Sequence, residues 1–274
     1  MYPEVVPVVR CPNCTAHPLT LLGPLYEDGE IVVGALRCEF CAVQTPIREG
    51  IWDALNDRLL PLTPAQITNY LPPAARLYEP LWRWNALTLM SGRRFPLREE
   101  LTLLRGLIQP RPDRFYLDVA CSAGLYARTL AAPGAIVAAV DHSWAMLREA
   151  RRQARERGLR ISYMRASAQA LPVVNGAAAG VVMGGSLNEI GDQHAALCEI
   201  RRVLEPDGQF FCMNLVKATS GWGRVLQSGL STGGVDFPKL ATLNQWFDRA
   251  GLRREAQWRW RVVAITLLQL ANLK

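Results

Sequence analysis

From residue 114 onward, apolar strand-type segments alternate with segments of helical period, and this alternation limits the chain to very few folds. Strand patterns cover 115–120, 135–141, 159–164, 180–184 and 209–215. Helical patterns fall between them at 123–131, 143–157 and 195–204, and again at 242–250. Consecutive strands separated by helices must run parallel, with helices covering both faces of the sheet. The last two strand patterns, 253–260 and 262–270, have no helix between them, so one edge is expected to be antiparallel. The expectation is an α/β chain with a seven-stranded, mostly parallel sheet. Ser143 is a good N-cap for the helix that follows it. Glu205-Pro206-Asp207-Gly208 reads as the stop after the helix at 195–204.

In such a sheet, ligands sit beyond the carboxyl ends of the strands, where strand order reverses. The turns there read Asp118-Val119-Ala120-Cys121-Ser122-Ala123-Gly124, Asp141-His142-Ser143-Trp144-Ala145-Met146-Leu147, Arg165-Ala166-Ser167-Ala168-Gln169-Ala170-Leu171-Pro172 and Met183-Gly184-Gly185-Ser186-Leu187-Asn188-Glu189-Ile190. The first is similar to the "DxGCGxG" loop of class I S-adenosylmethionine (SAM)-dependent methyltransferases. The second resembles their "DxSxxML", the third their "RADAEALPF" and the fourth their "LHEI". Residues 196–208 resemble "ALxEIRRVLKPGG". The resemblance covers about residues 114–270 and implies a Rossmann-like fold with SAM as cofactor.

Carried over position by position, the resemblance places Asp118, Ala120, Ser122, Gly124, Asp141, His142, Ser167, Ala168 and Gly184 at the cofactor. Asp141 would accept from the ribose hydroxyls, or, on its residues alone, only cap the next helix. Ser167 stands where the family's aspartate meets adenine, and Gly184 would pass close to the cofactor. Asn188, Glu189, Tyr78 and His142 are the candidates for the acceptor side. Ala120 and Ser122 replace family glycines: small size is kept, but easy access to positive φ is lost.

Ahead of this region, Cys11-Pro-Asn-Cys14 and Cys38-Glu-Phe-Cys41 are two CxxC pairs separated by 23 residues. Each pair can present two thiolates to one ion, and four together close a tetrahedron. Strand patterns around 19–25 and 31–37, joined by Glu27-Asp28-Gly29-Glu30, complete a zinc ribbon. The alternatives are disulfides or redox dithiols. Four cysteines leave no open position, so the Zn2+ would be structural, and a module of this size needs the metal to fold. Chelation is then expected to unfold it while the sheet stays mostly folded. Thr45-Pro46-Ile47-Arg48-Glu49-Gly50-Ile51 resembles the tail of small zinc-ribbon proteins that partner methyltransferases, so the ribbon could also receive a protein partner. His17 reads as a surface residue, and Cys121, Cys198 and Cys212 read as buried small apolar groups.

The expected organisation is a zinc ribbon at 1–55, a helical connector at 56–110 and the sheet domain at 111–274. Five prolines, Pro61, Pro64, Pro72, Pro73 and Pro80, break the connector into short pieces, and a helix is expected at 97–108. Tyr78, Trp82 and Trp84 allow two readings: glue between the domains, or a flap over cofactor and acceptor. No apolar run reaches the roughly 18 residues of a membrane span, and a cytoplasmic location is the expectation. The net charge is +7, carried almost wholly by arginine, with only Lys217, Lys239 and Lys274 as lysines.

A ribbon ahead of such a domain resembles zinc-containing guanine-N1 methyltransferases of ribosomal RNA and plastid-type proteins related to quinone C-methyltransferases. The segment Tyr78-Glu79-Pro80-Leu81-Trp82 favours the second group. Three functions follow: methylation of a small apolar or aromatic acceptor, a catalytically impaired binding or scaffold protein, or methylation of RNA gripped by the basic surface.

Overall fold

A computed structural model describes residues 1–56, 58, 60, 62–79, 85–132 and 134–271, without the side chains of Thr68 and Tyr78. Trp82 and Trp84 lie outside the described residues. The strands are β1 (Leu19–Glu27), β2 (Glu30–Cys38), β3 (Gln44–Arg48), β4 (Ile51–Asp53), β5 (Phe115–Val119), β6 (Ile136–Asp141), β7 (Ser162–Arg165), β8 (Ala178–Gly184), β9 (Leu204–Leu215), β10 (Leu252–Trp260) and β11 (Val263–Leu270). The helices are α1 (Pro64–Thr68), α2 (Pro72–Tyr78), α3 (Leu87–Ser91), α4 (Leu97–Ile108), α5 (Leu125–Leu130), α6 (Trp144–Arg155), α7 (Gln193–Val203), α8 (Gly221–Ser231) and α9 (Leu240–Arg249).

The seven strands β5–β11 form the expected sheet, in the order β7-β6-β5-β8-β9-β11-β10. The first five are parallel; β11 runs antiparallel to β9 and β10 to β11. Strand order reverses at β5, which has β6 on one side and β8 on the other. Side chains alternate between two apolar layers. Phe115, Leu117 and Val119 of β5 enter one, and Tyr116 enters the other. That alternation is the period of two that buries both faces of a parallel sheet.

The sheet is longer than the sequence suggests. β4 pairs in parallel with β7, so the ribbon strands continue it to eleven, with β1 at the far edge. The junction is tight. Arg165 Nη1 donates to Asp53 Oδ1 at 3.1 Å, and both side chains are largely buried. Trp52 is fully buried, and its indole nitrogen donates to Thr45 Oγ1 at 2.8 Å. Met1, Val5, Leu36, Ile47 and Trp52 belong to the same apolar layer as Leu117, Val140 and Met164. On the other side, Arg151 of α6 grips Glu30 of β2 through both carboxylate oxygens, at 3.0 and 2.8 Å. The ribbon is thus built into the sheet rather than tethered ahead of it.

The turn 205–208, read as a helix stop, lies inside β9, which starts as soon as α7 ends and carries a register shift opposite 178–180. Helix α8 lies in a stretch where the sequence gives no helical expectation, since Gly221, Gly223 and Gly229 lower its propensity. It forms because Ser220 Oγ accepts from Gly223 N, and because Gln227 fastens it inward. The Gln227 side chain accepts from Ala218 N at 2.8 Å and donates to Val216 O at 3.0 Å. Cys121 and Cys212 are buried as expected, whereas Cys198 is exposed because α7 turns that position outward.

Trp52→Ala is expected to cost about 3–5 kcal/mol, the range for a fully buried aromatic truncated to a cavity. The shared apolar layer makes unfolding a single denaturant transition. Tryptophan fluorescence and far-UV circular dichroism should give the same midpoint. Two separated midpoints would show that the ribbon folds by itself.

Candidate functional site

A cavity of about 470 Å³ opens at the carboxyl ends of β5, β6 and β7, a volume in the range of small-molecule sites. Its wall includes Ala120 and Ser122 after β5, Asp141 and His142 after β6, Ser167 and Ala168 after β7, and Glu189 after β8. These predicted residues, distant in sequence, meet in one hollow. A smaller adjoining recess shares Ala120 and Ser122 and is lined by Asp118, Gly184 and Glu79.

Asp141 organises the hollow. Its Oδ2 accepts from Ser122 N and its Oδ1 from Ser143 N, both at 2.9 Å. The cap reading of this acid is therefore met by Ser143 N, yet the carboxylate also faces the cavity. Each carboxylate oxygen has a second acceptor direction, so the two bonds leave capacity for ligand hydroxyls. Asp118 works one layer below, with Oδ2 accepting from Ala127 N at 2.8 Å in the first turn of α5. Ser186 Oγ donates to Ala120 O at 2.9 Å and ties the β8 turn to the β5 turn.

The lost glycines do not change the loop's path. Ala120 sits at φ +54° and Ser122 at φ +48°, the left-handed region that glycine occupies freely. Both residues line the cavity, which stays open at about 470 Å³. Such a conformation costs a side-chain-bearing residue about 1–2 kcal/mol, offset here by the bonds to Asp141 and Ser186. Gly124 has a different reason. At φ +79°, a Cβ there would lie 2.9 Å from Ala150 Cβ of α6. Gly124 lines neither of these two hollows, and its bare backbone lets α5 and α6 pack closely.

The acceptor-side candidates separate. Asn188 is buried and committed: its Nδ2 donates to Leu215 O at 2.7 Å and to Asp236 O at 2.5 Å, and its Oδ1 accepts from Leu215 N at 2.9 Å. It braces β9 against the segment that follows α8. Tyr78 closes α2, and its side chain lies outside the described residues. Glu189 lines the cavity, and its pKa is pushed up to about 7. Burial is the main cause, the nearby Asp141 charge adds to it, and a hydrogen bond with the Asn69 side chain opposes it.

The connector forms the outer wall, through Leu60, Leu62, Gln66 and Asn69. Two contacts hold it down. Ser143 Oγ donates to Asn69 O at 2.6 Å while also capping α6, and Tyr70 stacks on His142 at 5.3 Å with its hydroxyl 2.9 Å from Nδ1. Sequence reasoning named this segment as a possible flap, but periodicity gave no signal for the individual wall residues.

In the ribbon, the four sulfurs of Cys11, Cys14, Cys38 and Cys41 lie within 4.8 Å of one another, and no disulfide joins them. Cys11 and Cys41 Sγ are 3.6 Å apart, Cys14 and Cys38 Sγ 3.5 Å. Zinc–sulfur bonds of about 2.3 Å in a tetrahedron require sulfur separations near 3.8 Å. The set fits such an ion. His17 is exposed and turned to Val9 O at 2.9 Å.

Ala120→Gly and Ser122→Gly are each expected to raise stability by about 0.5–1 kcal/mol, since relief of left-handed strain outweighs the added unfolded-state entropy. Denaturant midpoints measure this, and a loss of stability would show that the Cβ atoms contribute packing. Glu189 predicts a pH effect. Its proton is held more tightly in the folded chain, so stability falls as pH rises from about 4.5 to about 7. Glu189→Gln should flatten that window and stabilise the protein by about 1–3 kcal/mol at pH 8, with little effect at pH 4.

A family model described as a methyltransferase domain matches residues 117–212. The chain is 38% identical over 110 residues to the ubiquinone/menaquinone biosynthesis C-methyltransferase UbiE of Acidiphilium cryptum, covering 39% of this chain and 44% of that protein. It is 35% identical over 116 residues to the demethylmenaquinone methyltransferase of Thermus thermophilus, covering 42% and 52%. It is 27% identical over 209 residues to a ubiquinone biosynthesis O-methyltransferase of Parvibaculum lavamentivorans, covering 69% and 81%. The chain thus spans about half the length of the first two relatives. Among solved structures it superposes on a SAM-dependent methyltransferase from Aquifex aeolicus with TM-score 0.54 at 14% identity, covering 77% of this chain and 100% of that one. Mitomycin 7-O-methyltransferase MmcR gives TM-score 0.58 at 15% identity, covering 76% and 61%. Residues 117–212, which supply most of the cavity wall, therefore match a methyltransferase domain, and the chain shares the fold of these solved structures.

Proposed function

We propose that this protein transfers the methyl group of SAM to a small apolar or aromatic acceptor. The observation that carries this reading is the cavity at the strand-order reversal, with the Asp141 carboxylate on its wall and the connector across it. Bound SAM supplies an electrophilic methyl group on a sulfonium. The chain's own residues then bind, orient and exclude water. Asp141 accepts from the ribose hydroxyls while Ser122 N and Ser143 N hold it in place. Ser167 offers a hydroxyl to the base. Asp118 and Gly184 border the adjoining recess that would take the charged end of the cofactor. Leu60, Leu62 and Ile190 provide an apolar side suited to an aromatic ring. Glu189 is the cavity group poised to take a proton near neutral pH, as methylation of a hydroxyl or an activated ring carbon requires. The relatives' names, quinone C- and O-methyltransferases, favour a quinone-type acceptor.

The retained left-handed turn at Ala120 and Ser122 supports cofactor binding over a purely scaffolding role. The RNA reading draws less support, because many arginines are neutralised at home. Arg148 pairs with Glu49, Arg151 with Glu30, Arg152 with Glu149, and Arg160 with Glu4. In the ribbon, the four cysteines hold a structural zinc ion whose binding energy adds to the stability of the shared sheet.

Calorimetry should detect SAM binding, and Asp141→Ala should weaken it by about 1.5–3 kcal/mol, the scale of hydrogen bonds to a charged group. No heat with the parent protein at millimolar SAM would remove the proposal. Zinc removal, verified by elemental analysis, should lower the unfolding midpoint of the entire sheet. An unchanged midpoint would remove the structural zinc.

A further inference from the structure

The cover over the cavity has an outer side that the proposed reaction does not use. Helix α8 lies between the two ends of the connector. At its N-terminal end Gly223 lies against α3, where an added Cβ would meet Met90 O at a contact distance of 3.4 Å. Just past its C-terminal end, Gly233 O accepts from Ala65 N of α1 at 2.7 Å. Helices α1, α3 and α8 therefore make one continuous face. That face carries large apolar side chains open to solvent: Ile67 is 55% exposed, Leu89 56%, Trp222 64% and Val225 64%. Trp222 and Val225 are three residues apart, on one stripe of a helix whose opposite side is bolted inward through Gln227. Clustered exposed side chains of this size mark an interaction surface.

The charge around the stripe is mainly positive, with the exposed acids Glu99 and Asp236 at its borders. Residues 62–78, 85–98 and 216–235 contain no aspartate or glutamate, and they hold Arg76, Arg93, Arg94, Arg98, Lys217 and Arg224. All six are exposed. Among the described residues, Arg93, Arg94, Arg98 and Arg224 form no ion pair, unlike the arginines of α6.

We infer that the α1–α3–α8 face docks on an anionic lipid bilayer. An exposed tryptophan with aliphatic neighbours, rimmed mainly by cations, fits the boundary between acyl chains and headgroups. Each basic residue near such a surface adds about 1 kcal/mol of attraction at moderate salt, equivalent to roughly fivefold in affinity. The placement has a consequence for access. Gln66 of α1 lines the cavity, while its neighbour Ile67 points outward on the docking face. The cavity mouth would thus lie beside the membrane, within reach of an apolar acceptor held there. Docking itself needs no methyl transfer, so it stands or falls separately from SAM binding.

The test is co-sedimentation of the full chain, without cofactor, with phosphatidylcholine vesicles and with vesicles in which phosphatidylglycerol replaces roughly a third of the lipid. The expected result is binding to the mixed vesicles that weakens with salt. The pair Trp222→Ser and Val225→Ser should reduce it by roughly tenfold or more. The set Arg93→Gln, Arg94→Gln and Arg224→Gln should remove the preference for anionic lipid. The unfolding midpoint of each variant, kept at the parent value, secures the comparison. Absence of vesicle binding by the parent would overturn the inference, as would undiminished binding by both variant sets. A self-association seen in sedimentation velocity and abolished by the serine pair would assign the face to a second copy instead. Salt-sensitive RNA binding lost in the arginine set, without vesicle binding, would assign it to nucleic acid.

Discussion

Two backbone amides converge on one carboxylate at the centre of this protein, and the hollow beside it exists because they do. Asp141 ends β6, and its oxygens fix the turn after β5 through Ser122 and the start of α6 through Ser143. Neither turn has the glycine content to hold its shape cheaply. The left-handed backbone at Ala120 and Ser122 persists because charge-assisted hydrogen bonds outweigh its cost. A carboxylate placed to brace two turns is also placed to meet a ligand between them. Architecture and recognition thus rest on the same atoms.

The ribbon is the second constraint. A parallel sheet ending at β7 would expose a row of unpaired backbone groups. β4 covers that edge, and β3, β2 and β1 carry the sheet onward in antiparallel register. Trp52 and the Asp53–Arg165 pair make the joint dry and specific. The four-cysteine cluster therefore lies in the same folding unit as the cavity, though far from its chemistry. The expectation of a ribbon that melts alone gives way to one of a metal whose loss is felt across the sheet.

The connector links the cavity to the exterior. Its short helices carry Gln66 and Asn69 on the inside and Ile67 on the outside, so one segment faces ligand and surroundings together. Ser143 serves both sides of the joint: it caps α6 with its lone pair and donates its proton to Asn69 O. Asn69 and Glu189 line the same cavity, so the cover and the cavity acid face one space.

Local sequence determined much of this. Period-two and period-3.6 patterns place β5–β11 and the helices between them other than α8, and acids at strand ends mark Asp118 and Asp141. Cysteine spacing finds the four-sulfur cluster. Ser143 announces its helix, because capping is a contact over three residues. What the sequence could not decide were relations between distant segments. Nothing local to Asn188 shows that its amide bonds Leu215 and Asp236. Nothing local to Gly124 shows that Ala150 of α6 presses on it. Helix α8, rich in glycine, exists through Gln227 and its neighbours rather than its own propensity. Burial, edge pairing and the convergence of turns on a carboxylate are set by what the rest of the chain brings within a few ångströms, and no local pattern encodes that.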